Sequence, residues 1–445
     1  MKQKVLESSI LFISIVKWLL LASFIGVVVG FSTTVFLKAL EGSIGYLSEY
    51  KYYFLLLPVA FFLSMVIIKY LAPEAKGHGT EKVIEAVHKR SGRIDPLVVP
   101  IKLVATVITI AAGGSAGKEG PCAQIGAGIS SVIASIFRFD DNDRKKLVIC
   151  GISAGFSTVF GTPIAGAIFG VEVLFVGSLL YEVLLPSFVA GIVGYQVSTA
   201  FGITYFQEPL HFIPHFTSVY FLRVCLAGIF FGLCSLIFVE ILHFFEWLHK
   251  KIEWRESYKA LLGGFALVIL SFLFSTRFLG LGLDSIKTAL EGGYLPVYDF
   301  LVKMVFTSIT LGFGGSGGIV TPIFYIGASS GNAFANIFGL SPDVFSAIGM
   351  VAVLAGAANT PISASIMAVE LFGPQVAPYA AVACVISFLM TGYRSVYPSQ
   401  VLAVKKSTSI KVETGTTMED IQDVEFDHRP TSIIGRFGKY KKEDE

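Results

Sequence analysis

Apolar residues along the chain fall into two kinds of segment. Near 18–37, 52–68, 218–239 and 259–276 they run on with charged residues only at the ends. Each run approaches the ~20 residues a helix needs to cross a bilayer. Between them lie apolar runs that glycine and proline cut short: 101–117, 121–137, 147–175, 183–202, 299–315, 322–338, 345–372 and 376–391. Most are too short to cross alone, and irregular backbone at membrane depth is tolerated only where protein buries it or it lines a cavity. The first kind predicts lipid-facing helices. The second predicts a broken, protein-buried interior that carries the function.

The first long run lies between Lys17 and Lys38 and predicts a retained span, since it outruns the about 7–15 apolar residues of a secretory signal. Residues 1–17 ahead of it predict a cytoplasmic or interfacial helix, with 5–16 lying on the membrane. Lys2 and Lys4 precede the first span, and Lys405 and Lys406 follow the last apolar block. The positive-inside rule then puts both termini in the cytoplasm. The polar stretch 407–445 reads as a flexible cytoplasmic tail.

Composition sharpens this picture. The 445 residues are 54% hydrophobic and 15% charged, and the mean hydropathy is +0.72. A soluble domain carries about 25% charged residues, so this composition predicts a protein with the lipid bilayer as a partner; the expected fold is all-α and multi-pass, and the expected location is the inner or plasma membrane. The net charge of +2 gives no electrostatic basis for a nucleic-acid partner. Cys122, Cys150, Cys225, Cys234 and Cys384 all lie in apolar stretches without a C-x-x-C pair and read as small packing residues.

The strongest pattern is an internal repeat. Residues 113–137, GGSAGKEGPCAQIGAGISSVIASIF, return 201 positions later as 314–338, GGSGGIVTPIFYIGASSGNAFANIF. A second block, Thr162-Pro163-Ile164 with Ile168, Val171 and Glu172, returns 198 positions later as Thr360-Pro361-Ile362 with Ile366, Val369 and Glu370. Two matches in order at nearly equal spacing predict a duplicated architecture, with one membrane repeat at 18–205 and the other at 206–406. Matching interrupted segments in two halves point to a transport site between them.

Each repeat core is a glycine-rich loop, a proline and a helix-like apolar run. Proline suits a first helical turn, and glycine lets backbone approach a ligand closely. A helix N-terminus offers unpaired N–H groups and partial positive charge. Two such ends meeting in the membrane would hold an anion without a full positive charge, weakly enough to let it leave. Glu119, in Gly117-Lys118-Glu119-Gly120-Pro121, is an ionisable group in an apolar setting and a functional candidate for that reason. Its carboxylate could take the anion's place at the helix end and leave it on protonation or by swinging aside. The plainer alternative is an ion pair with Lys118 at the surface. An enzyme is not indicated: His211 and His215 lack the H-E-x-x-H arrangement, and no phosphate-binding loop is present.

The Gly117-Lys118-Glu119-Gly120-Pro121 loop, with Gly318-Ile319-Val320-Thr321-Pro322 at the repeat spacing, resembles the paired signatures of the CLC family of chloride channels and proton/chloride antiporters. Tyr397, in Tyr393-Arg394-Ser395-Val396-Tyr397-Pro398-Ser399, and the Gly77-His78-Gly79-Thr80 stretch are similar to two further family segments. The resemblance covers about 18–406. It implies two inverted-topology repeats of broken helices, a separate pore in each subunit of a homodimer, and Glu119 as gate. It implies an anion site made by the backbone N–H groups of Ile319 and Val320, the Tyr397 hydroxyl and the residue at His78. No cofactor is implied; the ligand is chloride, with protons as a second partner where transport is coupled.

Several positions depart from the family pattern. His78 stands where most members have serine, and either donates a hydrogen bond to the anion or is a neutral turn residue bonded to backbone. Val320 replaces a phenylalanine. Proton-coupled members commonly carry two adjacent glutamates where this chain has Glu172-Val173, so the inner proton acceptor is replaced by an apolar group. That leans the reading towards channel-like or weakly coupled chloride conduction, with a proton-coupled antiporter, or another duplicated secondary transporter, as alternatives. Glu172 itself reads first as a buried carboxylate capping backbone, repeated by Glu370. The paired C-terminal nucleotide-binding modules of many eukaryotic relatives have no counterpart.

Overall fold

A computed structural model describes residues 2–205, 210, 217–421 and 425–426. The first half runs α1 (Lys2–Ser48), α2 (Leu57–Leu71), α3 (Thr80–Lys89), α4 (Val98–Ala111), α5 (Glu119–Ile136), α6 (Asp141–Phe160), α7 (Pro163–Glu172), the short strand β1 (Phe175–Val176) and α8 (Tyr181–Ala200). The second runs α9 (Ser218–Lys251), α10 (Glu256–Leu273), α11 (Leu283–Leu290), α12 (Asp299–Gly312), α13 (Val320–Phe338), α14 (Pro342–Ala358), α15 (Pro361–Phe372) and α16 (Ala377–Met390). Three two-residue strands follow: β2 (Val401–Leu402), β3 (Ile410–Lys411) and β4 (Glu425–Phe426). The strand β2 pairs in parallel with β1, and β3 pairs antiparallel with β4.

Local chemistry sets the element ends. Asp140 accepts the Asp143 amide at 2.7 Å to cap α6, and the Thr217 hydroxyl accepts the Tyr220 amide at 3.2 Å to cap α9. Pro163 and Pro361 open α7 and α15, where the missing N–H is not needed. Gly161 and Gly339 close α6 and α13 in the left-handed conformation.

The two halves pack alike. In the first, α5 pairs with α6, and α1 lies along α6 and α8; in the second, α13 pairs with α14, and α9 lies along α14 and α16. The helix α7 packs on α15 across the divide. Among the described residues, five helical stretches are long and apolar enough to cross a membrane: Leu6–Ser48, Tyr53–Leu71, Tyr181–Ala200, Ser218–Lys251 and Glu256–Leu273. They carry the exposed apolar side chains, with Leu20 at 68% and Leu273 at 71% exposure, the mark of a lipid-facing surface. By contrast, α14 is buried from Val344 to Ala358 and α13 from Val320 to Ala335. Most of the glycine- and proline-cut segments are therefore the interior; 183–202, expected among them, is instead a full-length span, because α8 runs through Pro186 without breaking and leaves Leu185 and Ile192 exposed.

Two expectations are corrected. Residue 17 is not an element boundary, because α1 continues through it; Lys17 lies at the Asp143 end of α6, where its amino group meets the Asp143 carboxylate at 2.5 Å. The segment expected to begin a flexible tail at 407 instead folds back on the protein as far as residue 421. Val412 and Met418 are buried with Val176, Tyr393 and Leu402, and the Leu402 and Met418 amides donate to Thr416 and Gln400 carbonyls at 2.9 and 2.8 Å. Its apolar residues close a small cluster that the polar average of the stretch conceals. The repeat boundary at 205/206 adjoins residues outside the described set, as do His211 and His215. The five cysteines are free thiols, and all but Cys225 are buried.

Candidate functional site

The two glycine loops touch where the repeats meet. The Gly117 amide donates to the Gly318 carbonyl at 2.7 Å, and the Gly318 amide donates to the Gly117 carbonyl at 2.5 Å. This small antiparallel bridge brings the starts of α5 and α13 to one point. Pro121 and Pro322 each stand in the first turn of their helix. Lys118 and Ile319 are the residues preceding the two helices.

The same pairing is locked from above by reciprocal bonds between halves. Thr109 accepts the Ser316 amide and Thr310 accepts the Ser115 amide, both at 3.0 Å. The hydroxyls of Thr106 and Ser316, and of Thr307 and Ser115, pair at 3.1 Å. Lower down, Glu172 accepts the amides of Ile362 and Ser363 at 3.0 and 2.7 Å, and Glu370 accepts those of Ile164 and Ala165 at 3.0 and 2.8 Å. Each carboxylate caps the helix of the opposite repeat, meeting N–H groups that have no partner within their own helix. Both oxygens of Glu172 are engaged in this way. The Val173 side chain is fully buried in the apolar core, and the Val173 backbone carbonyl accepts from the Gln400 side-chain Nε2 at 2.9 Å.

Glu119 is fully buried. One carboxylate oxygen accepts the Thr321 amide at 3.1 Å and the other accepts the Thr321 hydroxyl. The side chain of one repeat thus caps the helix start of the other, with the helix dipole favouring its negative charge. Ile319 and Val320 turn their side chains into the apolar core. Their amides belong to the first turn of α13, so what they can offer a ligand is backbone N–H.

His78 is carried by a loop pressed against α5. A Cβ on Gly79, whose φ is +86°, would stand 2.5 Å from the Gly120 carbonyl oxygen, and a Cβ on Gly120 would overlap the His78 carbonyl oxygen. No side chain fits at either position. The His78 ring lies 5.4 Å from the Tyr397 ring, tilted by 53°. His78 Nδ1, Tyr397 Oη and Thr80 Oγ1 are all buried without a partner in hydrogen-bonding geometry. Buried polar atoms are normally paired, so this group is a candidate contact for a small polar or anionic ligand.

Thr321, the direct partner of Glu119, carries no sequence signal, because the pair is 202 residues apart. Lys102 and Lys303 could have been found, since they recur at the same spacing of 201 as the glycine loops. Lys102 donates to the Ala75 and Gly77 carbonyls at 3.1 and 2.5 Å, and Lys303 to those of Phe278 and Gly280 at 3.0 and 3.1 Å. Both amino groups are occupied by backbone beside the helix starts.

Converging helix starts within the buried interior, one held by a carboxylate from the opposite repeat, define a membrane protein fitted to bind and release a small anion. Residues 59–392 match the family described as voltage gated chloride channel, and the chain belongs to that family. It is 36% identical over 393 residues to the chloride/fluoride channel protein of Pseudomonas syringae pv. tomato, covering 87% of this chain and 86% of that one. It is 26% identical over 333 residues to the voltage-gated ClC-type chloride channel ClcB of Shigella flexneri, covering 72% and 78%. Among solved structures, a CLC-type fluoride/proton antiporter superposes with a TM-score of 0.83 at 29% identity over 86% of this chain and 98% of that one. A slow cyanobacterial Cl−/H+ antiporter shares the fold, with a TM-score of 0.74 at 20% identity over 84% and 94%.

Proposed function

We propose that the chain passes small halide ions through one pathway in each subunit of a homodimer, with Glu119 as the gate and with both termini in the cytoplasm. The observation that carries this is the seating of the Glu119 carboxylate on the first turn of α13, contributed by the other repeat. A halide and a carboxylate are both anions that a helix N-terminus accepts, so they compete for one seat. Protonating Glu119 removes its charge, weakens its hold on Thr321 and opens the seat. The unpartnered Tyr397 hydroxyl then supplies a donor, with the His78 ring beside it. Val173 supports weak proton coupling, because an alkyl group cannot carry a proton.

Coupled fluoride/proton exchange is a second reading, favoured by the likeness to a fluoride/proton antiporter and to a chloride/fluoride channel protein. Efflux from proteoliposomes, followed with chloride- and fluoride-selective electrodes and a pH electrode, tests both. We expect halide efflux whose pH dependence disappears in Glu119→Gln. Proton uptake driven against its gradient by either halide would establish exchange in place of weakly coupled passage. Glu119→Gln protein that loses halide movement yet keeps proton movement would overturn the gate.

A further inference from the structure

Tyr397 sits in a turn, residues 395–400, that follows α16. One side of the turn is anchored to the ends of α7 and α14. The Gln400 side-chain Nε2 donates to the Val173 and Ala358 carbonyls at 2.9 and 2.8 Å. The Gln400 side-chain oxygen accepts from the Ser395 hydroxyl at 2.6 Å and from Asn359 at 3.1 Å. The Ser395 hydroxyl accepts the Tyr397 amide at 2.9 Å.

The other side is held from a different element. The Ser399 amide donates to a Glu81 carboxylate oxygen at 3.0 Å, and the Ser399 hydroxyl donates to the same oxygen. Glu81 lies in the first turn of α3, three residues after His78. It is half-buried, unlike the enclosed Glu119. One carboxylate therefore joins the helix start that carries His78 to the turn that carries Tyr397, and these are the two rings in contact. Beyond the turn, a cavity of about 410 Å³ reaches its outer side, lined by Glu240, His243, Glu246, Ser395, Pro398 and Glu419.

We propose that Glu81 is a positioning residue: by holding Ser399 it keeps Tyr397 against His78 and sets how easily a halide passes between its seat and this cavity. The proposal rests on the halide pathway described above. The bond needs an accepting oxygen rather than a charge, because a neutral amide accepts from an N–H and an O–H as well as a carboxylate does geometrically. Positioning of this kind acts on ligand affinity and on passage together, since a donor displaced from the site no longer meets the ion.

Halide binding by isothermal titration and efflux from liposomes, measured on the full chain, test it. Glu81→Ala should weaken halide binding about fivefold and raise maximal efflux several-fold, as loosening a gate does. Glu81→Gln should stay within about twofold of the parent in both, because it keeps the accepting oxygen. Ser399→Ala, which keeps the amide but loses the hydroxyl, should fall between, and it reads the same bond if Glu81→Ala protein does not fold. Unchanged affinity and efflux in Glu81→Ala, or in Ser399→Ala where the first does not fold, would overturn the proposal, and so would Glu81→Gln behaving as Glu81→Ala does. A parent protein that moves no halide would instead refute the pathway itself.

Discussion

The starts of α5 and α13 are two copies of one design put to unlike uses. Their glycine loops pair with each other, their threonines lock each other's serines, and Glu172 and Glu370 cap each other's helices. At the positions that face the seat this symmetry ends. The first copy reads Glu119-Gly120 where the second reads Val320-Thr321, and the first copy's Gly77-His78-Gly79 corresponds to Gly280-Leu281-Gly282. Leu281 packs with Cys122, Ile125 and Tyr205 in an apolar cluster, whereas His78 and Tyr397 keep unpartnered polar atoms. The frame is duplicated because each half must satisfy the other's buried backbone. On the proposed pathway the seat is unequal because an ion must enter, meet a gate and leave, and two identical ends would hold it alike.

The comparison can be broken most forcefully at the close contact. Gly120→Ala gives the first copy a Cβ, as Thr321 has in the second, but there it meets the His78 carbonyl, which is backbone and cannot swing away. We expect a loss of about 3 kcal/mol, read as a lower melting temperature and loss of efflux. A parent-like melting temperature would refute the contact.

The reciprocal caps come next. Glu172→Ala leaves two amides without partners beside a buried core and should cost about 2 kcal/mol. Glu370→Ala should cost about 1 kcal/mol, since Glu370 is half-buried where Glu172 is buried, and surrounding polar groups can replace its carboxylate more readily. Equal losses on thermal unfolding in detergent would show that the two caps are energetically alike despite their different exposure.

Making the seats alike is a milder change. His78→Leu copies the second half's apolar residue into the first and should raise the half-saturating halide concentration about tenfold, or about 1.4 kcal/mol. The smallest effect is expected of Thr321→Val, which keeps the amide bond to Glu119 and loses the hydroxyl. A halide should then displace Glu119 more easily, with half-saturation falling about threefold. A rise would mean that the hydroxyl serves the ion more than the gate.

Much of this was legible in the chain itself. The contrast between long and interrupted apolar runs separated most lipid-facing helices from the buried interior, with 183–202 the exception, because a helix in lipid must satisfy its own backbone over its full length. The spacing of 201 exposed the duplicated frame and singled out Glu119 in its glycine loop. What periodicity could not reveal were the partners that lie 190 to 318 residues away: Thr321 for Glu119, Ile362 and Ser363 for Glu172, Ser399 for Glu81. Sequence fixes which groups need a partner at a helix start. Only packing the two repeats face to face decides which partner arrives, because the bond depends on distance in space and the chain records only order.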